Sequence, residues 1–214
     1  MSDLYLVGLC GRSGTGKGYV CKKFLAHGIP SVDTDAVYRT MTGPSAELSP
    51  CMQELVSAFG EEIVLPDGAL DRRVVSALVF GEGGKEARLT LNRITHKHIL
   101  TETLRIAEQY TAEGAPAVIV DAPLLFESGF DAHCACTVCV TAPDEVSVRR
   151  ITERDGISPE DARRRLAAQI PAEELIRRCD YRIENDLYSD TLEAQVADAA
   201  RDILARRRIT GGGQ

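Results

Sequence analysis

A chain of 214 residues, 44% hydrophobic and 27% charged, has the makeup of a folded globular domain, which excludes disordered and fibrous classes. Its formal net charge of −7 argues against broad nucleic-acid binding, which rests on Lys and Arg neutralising phosphates. Seven cysteines, odd in number and mostly within apolar runs, fit reduced thiols better than a disulfide framework. No apolar run reaches the roughly 20 residues that span a bilayer, so a cytoplasmic protein without a membrane partner is expected.

In chain order, Leu4 to Cys10 (LYLVGLC) is a short apolar run without helical period, ended by glycine, and predicts a buried parallel strand. The segment GRSGTGKG, Gly11 to Gly18, follows at once. From Tyr19 to His27 the apolar positions Val20, Phe24 and Leu25 repeat at helical spacing, with Gly28 as a stop. Ile29 to Asp33 then predicts a second strand and completes a βαβ unit. From Gly43 to Tyr110 the pattern turns helical, with a PDG turn at Pro66 to Gly68 and a GEGG stretch at Gly81 to Gly84. This reads as a helical insertion, about 43–112, in a single domain whose core comprises 1–40 and 115–208. Further strands are expected at Ala117 to Asp121, Ala135 to Val140 and Tyr181 to Glu184. Helices are expected at Leu91 to Tyr110, Asp144 to Arg154 and Asp190 to Arg207, with a flexible tail at 209–214. The alternation predicts an α/β sandwich around a mostly parallel five-stranded sheet, with ligands at the carboxyl ends of the strands. Cys134, Cys136 and Cys139 come closest to a metal pattern, but along a strand their side chains alternate between faces, so a structural role is expected.

Gly11, Gly16 and Lys17 fill the pattern G-x-x-x-x-G-K between a strand and a helix. That context aims backbone N–H groups and a helix dipole at a phosphate. The ATP-binding set is therefore Gly11, Arg12, Ser13, Gly14, Thr15, Gly16, Lys17, Gly18 and Tyr19, with Lys17 reaching the β and γ phosphates. Position 18 departs from the pattern. Ser or Thr normally gives Mg²⁺ a hydroxyl there, and Gly18 has none, so a water held by Asp35 or Asp121 is expected instead.

Several segments, in order and over nearly the whole chain, resemble dephospho-CoA kinase. They are GLCGRSGTGKGYV (Gly8 to Val20), VDTDAVYR (Val32 to Arg39), DGALDR (Asp67 to Arg72), LNRITHKHI (Leu91 to Ile99), DAPLLFESG (Asp121 to Gly129), RITERDGIS (Arg150 to Ser158) and RRRLAAQ around Arg165. The resemblance implies a P-loop kinase sandwich that transfers the ATP γ-phosphoryl group to the ribose 3′-hydroxyl of dephospho-CoA. It also implies Mg²⁺, a helical substrate-binding insertion and a lid at about 146–178, in a monomer or weak homo-oligomer without nucleic-acid partners.

The resemblance makes Asp35 the base. Asp33, two residues earlier on an extended chain, would face the same side, and either the exchange of their roles or capping of the next helix stays open. Arg39 is a phosphate or substrate contact. His96 is an acceptor contact or a packing residue, and the family's proline after it is Lys97 here. Asp121, ending an apolar strand, is the carboxylate expected to hold Mg²⁺ through water. Leu124, Leu125 and Phe126 wall the acceptor pocket or simply pack, and Glu127 is a polar contact.

Arg154 and Arg150 share a helical face and begin a hinged hairpin that continues to Arg163, Arg164 and Arg165. It delivers cations to the phosphates, unless the arginines pair with Glu153, Glu160 and Asp161 at the surface. Asn185 matches a family segment near the adenine, although Leu187 replaces the glycine that follows, and a turn role stays open. The alternatives are another P-loop kinase of nucleotides or small molecules, or a non-catalytic nucleotide-binding module. No guanine-reading N-K-x-D is present.

Overall fold

The computed structural model describes residues 4–81, 83–186 and 189–211. The elements run β1 Leu6–Cys10, α1 Lys17–Leu25, β2 Ser31–Asp33, α2 Thr34–Met41, α3 Pro50–Phe59, α4 Arg72–Phe80 and α5 Lys85–Ala112. They continue β3 Val118–Asp121, β4 Cys136–Thr141, α6 Asp144–Asp155, α7 Pro159–Ala167, α8 Ala172–Arg178, β5 Tyr181–Glu184 and α9 Ser189–Gly211. The chain divides into two compact units, one running to Asp33 and resuming at Ile106, the other Thr34–Arg105.

In the first unit the strands form a 5-stranded sheet of order β2-β3-β1-β4-β5, and the pairings are parallel. β1 is buried along its whole length, which is why it reads as continuous apolar sequence rather than an alternating one. Its two faces do different work. Val7 and Leu9 join a core with Val20 and Phe24 of α1 and Val196 and Ile203 of α9. On the opposite face a Cβ placed at Gly8 would lie 2.9 Å from Leu125 Cδ2, so glycine there lets the β3 loop close on the sheet. Phe24 and Ile203 are fully buried, each removing apolar surface worth about 1.5–3 kcal/mol.

The α/β class and parallel sheet agree with the sequence expectation, while several boundaries shift. α1 begins at Lys17 rather than Tyr19, because Gly16 already serves as its N-cap. α9 continues to Gly211, so residues 209–211 of the expected tail are helical and 212–214 lie outside the described residues. Glu82 in the GEGG stretch and Leu187 lie outside them too.

The second unit is helical, as the change of pattern after Gly43 implies. Its core gathers Cys51, Met52, Leu55, Ile63, Leu70, Val75, Val79 and Ile94. Ser49 caps α3 by accepting from Met52 N at 3.1 Å, with Pro50 opening the helix. Asp71 caps α4 through Arg73 N at 2.9 Å and Val74 N at 3.2 Å. Glu54 of α3 meets Lys97 at 2.8 Å and His98 at 2.7 Å on α5. Those two hydrogen bonds hold its carboxyl below the ordinary carboxylate range.

Candidate active site

The glycine-rich loop leaves the carboxyl end of β1 and opens α1. Gly14 and Gly16 have φ of 78° and 84°, in the left-handed region that favours glycine. Space excludes other residues as well. A Cβ on Gly14 would sit 2.5 Å from Ser147 O, and one on Gly16 2.3 Å from Asn185 Nδ2. Thr15 closes the loop on itself, its hydroxyl donating to Arg12 O at 2.9 Å. Lys17 Nζ donates to Gly11 O at 3.3 Å, which arches its side chain over the loop. Ser13 N donates to Gln169 Oε1 at 2.9 Å, and Arg12 pairs with Asp144 at 2.9 Å. Gly18 is exposed, and a Cβ there would meet nothing within 4 Å.

Two residues expected near the nucleotide brace the loop. Asn185 is buried, its Nδ2 donating to Thr15 O at 2.8 Å. Arg150 donates from Nη1 to Gly14 O at 3.2 Å, Thr15 O at 3.3 Å and Asn185 O at 3.4 Å, and from Nη2 to Asn185 Oδ1 at 3.4 Å. Burial, and then the Arg149 charge, lower the pKa of the Arg150 guanidinium. The carbonyls it meets are thus the main compensation for desolvation.

Arg154, one turn on, is differently placed. It is exposed, pairs with Asp155 at 2.7 and 2.9 Å, and reaches Ser13 Oγ at 3.5 Å. Asp155 also accepts from Arg165. Arg154 first, and then Arg165, hold its carboxyl at about 2. Asp155 is therefore the partner of Arg154, rather than Glu153, Glu160 or Asp161. Arg164 does pair with Asp161, and Arg163 with Glu145 at 3.2 Å. α6 and α7 share a small apolar core of Val148, Ile151, Ala162 and Leu166. A cleft of about 430 Å³ lies between Arg12, Asp144, Gln169, Ile176, Arg182 and Glu184.

The carboxylates sort by unit. Asp33 and Asp121 are register partners at the carboxyl ends of β2 and β3, so their backbones lie one strand spacing, about 4.8 Å, apart. The Cys21 thiol approaches Asp121 Oδ2 at 3.9 Å, and burial followed by the Asp121 charge pushes that thiol up to about 12. Asp35 does not lie on an extended chain with Asp33. β2 ends at Asp33 and α2 starts at Thr34, so Asp35 stands in the first turn of a helix, and its position rests on helix geometry rather than strand alternation. Arg39 lies one turn further along α2. His96 is half-buried on α5, and burial lowers its pKa.

After β3, Leu124 is exposed at 53%, whereas Leu125 is fully buried against the sheet and is a packing residue, not a pocket wall. Phe126 carries the Arg178 guanidinium 3.9 Å above its ring, and Glu127 is exposed.

The sequence model of dephospho-CoA kinase matches residues 5–191. The chain belongs to the dephospho-CoA kinase family. A Symbiobacterium thermophilum dephospho-CoA kinase is 37% identical over 92% of this chain and 80% of that protein. One from Arabidopsis thaliana is 37% identical over 96% and 85% respectively. A Thermus thermophilus crystal structure superposes with a TM-score of 0.73 at 29% identity, over 93% of this chain and 97% of that one. The fold is shared with a Bacteroides thetaiotaomicron shikimate kinase, at a TM-score of 0.51, 16% identity and coverage of 93% and 98%. As a dephospho-CoA kinase the chain is an ATP-dependent phosphotransferase of coenzyme A biosynthesis.

Within this kinase, sequence reasoning missed Gln169 and Asp144. Gln169 ends the RRRLAAQ segment, so the signal was a long side chain just beyond an arginine-rich helix. Nothing local tied it to Ser13. Among the described residues no helix is long and apolar enough to cross a membrane.

Proposed function

We propose that this kinase transfers the ATP γ-phosphoryl group to the ribose 3′-hydroxyl of dephospho-CoA, and that the residues above divide the work as follows. The loop amides from Gly11 to Tyr19 and Lys17 bind the triphosphate. Asp35 takes the proton of the attacking hydroxyl as the new O–P bond forms, and ADP leaves with the bridging oxygen. Arg154 supplies positive charge to the transferring group, since it is exposed and, among the described residues, meets the loop at Ser13 Oγ, 3.5 Å away. Arg150 and Asn185 hold the loop in shape, which is the role their bonds to Gly14, Thr15 and each other support. Asp33, Arg39, His96, Leu124, Phe126 and Glu127 receive the acceptor.

Asp121, with Asp33 beside it in register, offers the hard oxygen donors that suit Mg²⁺. When bound, that ion neutralises charge developing on the β and γ phosphate oxygens. With Gly18 in place of a hydroxyl, the reading is that Asp121 works through water. Seven cysteines, most of them buried, favour a reducing compartment, which supports the cytoplasm as the enzyme's place of work; the proposed form is a monomer or weak homo-oligomer.

The loop carries this reading, because its left-handed glycines and N-terminal helix cap make an anion cradle whatever the acceptor. Purified protein given ATP, Mg²⁺ and dephospho-CoA should yield coenzyme A and ADP in equal amounts, and none without Mg²⁺. Phosphorylation of shikimate or a nucleoside monophosphate instead, with dephospho-CoA untouched, overturns the acceptor assignment.

A further inference from the structure

Three thiols that the phosphoryl-transfer chemistry does not use meet beneath the phosphate loop. Cys10 is the last residue of β1, next to Gly11, and its register partner on β4 is Cys139. Cys179 is the C-cap of α8, where the chain turns into β5. Their sulfurs all lie within 4.8 Å of one another, and Cys10 Sγ is 3.5 Å from Cys179 Sγ. The trio differs from the one that sequence spacing brings forward. Of Cys134, Cys136 and Cys139, only Cys139 takes part.

We propose that Cys10, Cys139 and Cys179 form a three-thiolate site for a soft d10 cation, copper(I). Geometry and chemistry point the same way. With metal–sulfur bonds near the roughly 2.3 Å of zinc thiolates, a trigonal site has sulfurs about 4.0 Å apart. That value lies between the 3.5 Å contact and the 4.8 Å outer bound of the trio. Among the described residues no His, Asp or Glu completes the group. An all-sulfur set without a fourth donor suits copper(I) better than zinc, which prefers four ligands.

A disulfide uses two thiols and leaves the third without purpose, whereas an ion uses all three. Cysteine binds such an ion as the thiolate, so metal binding displaces the thiol protons. Cys10 and Cys139 are buried while Cys179 is only half-buried, so the site has one open edge through which an ion enters. Binding forms three Cu–S bonds, releases the thiol protons of the ligands to solvent and involves no electron transfer. It would also pin the strand end that carries the phosphate loop to the segment between α8 and β5.

The test is an anaerobic titration of the intact protein with Cu⁺ against a chromophoric Cu⁺ chelator, with alkylation of each cysteine followed by mass spectrometry. The expected result is one Cu⁺ per chain. Cys179→Ala should weaken binding by about 100-fold or more, since it removes one ligand of three, whereas Cys51→Ala and Cys134→Ala should not. Cys10→Ala opens a cavity at a buried position, so a loss of binding there could reflect altered packing. The unmutated protein therefore supplies the second readout, in which one equivalent of Cu⁺ slows alkylation of Cys179. Undiminished binding by Cys179→Ala, protection centred on Cys51 or Cys134, or a Cys10–Cys179 disulfide with no retained Cu⁺ would each overturn the proposal.

Discussion

Replacing Arg150 by alanine separates two roles that its position on α6 leaves open. Its guanidinium makes contacts of 3.2 and 3.3 Å to the loop carbonyls of Gly14 and Thr15, 3.4 Å to Asn185 O just after β5, and 3.4 Å to Asn185 Oδ1. A charge-assisted hydrogen bond contributes about 1.5–3 kcal/mol, and these four are long and three of them share Nη1, so together they are worth about 2 kcal/mol. If that energy holds the loop in its binding shape, its loss weakens nucleotide affinity about 30-fold, at 1.4 kcal/mol per decade. The weakening should be equal for ATP and ADP, because both use the same cradle. Calorimetric Kd values for the two nucleotides, with kcat at saturating ATP, make the measurement. Arg154→Ala is the contrast. Its kcat should fall by about 100-fold or more with Kd little changed, as for a contact made in the transition state. Unchanged Kd values in Arg150→Ala, with kcat reduced by orders of magnitude, would refute the bracing role and return Arg150 to the transition state.

Other positions give simpler tests. Gly18→Ser meets no neighbouring atom within 4 Å, so it should fold normally and lower the Mg²⁺ concentration for half-maximal activity severalfold; an unchanged Mg²⁺ dependence would sink the idea that position 18 limits metal binding. Asn185→Ala deletes the 2.8 Å bond to Thr15 O. At about 1–3 kcal/mol for a buried group left unpaired, Tm in a thermal melt should fall by about 5 °C, and Asn185→Asp, which turns a donor toward a carbonyl into an acceptor, should do no better. The guanidinium of Arg154, and then that of Arg165, hold the Asp155 carboxyl at about 2, below its ordinary value. Its depressed value means a stabilisation fully present above the unfolded pKa and lost as pH falls through 2. Asp155→Asn should therefore melt earlier than the parent at neutral pH and match it near the acid end; a constant difference across that range counts against the Arg154–Asp155–Arg165 contact.

What was legible in the sequence was local. β1 declared itself because a strand buried on both faces is continuously apolar, and β5 because Tyr181–Glu184 alternates on a sheet edge. The loop was legible because glycines at Gly14 and Gly16 are demanded by both backbone angle and space. The start of α2 was not. Thr34 enters the helix directly from β2, with no Pro or Gly to mark the change, and alternation carried through to Asp35 placed that carboxylate by the wrong geometry. The bracing contacts were invisible for a different reason. Ser13 and Gln169 lie 156 positions apart, Arg150 and Gly14 136, and Cys10 and Cys179 169, so no window of sequence holds both partners.

Those distant contacts also bear on how the α6–α7 arm could act as the proposed lid. Arg150 and Arg154 sit on one helix, yet the first is tied to the loop by several bonds and the second by one contact of 3.5 Å. The shared core of Val148, Ile151, Ala162 and Leu166 makes α6 and α7 move as one piece. If that piece moves, the bonds of Arg150 to the loop favour a pivot there, with Arg154 and Gln169 carried further. The Ser13–Gln169 hydrogen bond, at 2.9 Å, is what resists such motion on the far side. A single neutral hydrogen bond of this kind contributes about 1 kcal/mol net, less than a phosphate gains from a charge-assisted bond to the same N–H. An incoming triphosphate can thus displace Gln169 from Ser13 while leaving Arg150 in place, freeing the arm that carries Arg154 without loosening the loop that must hold the phosphates.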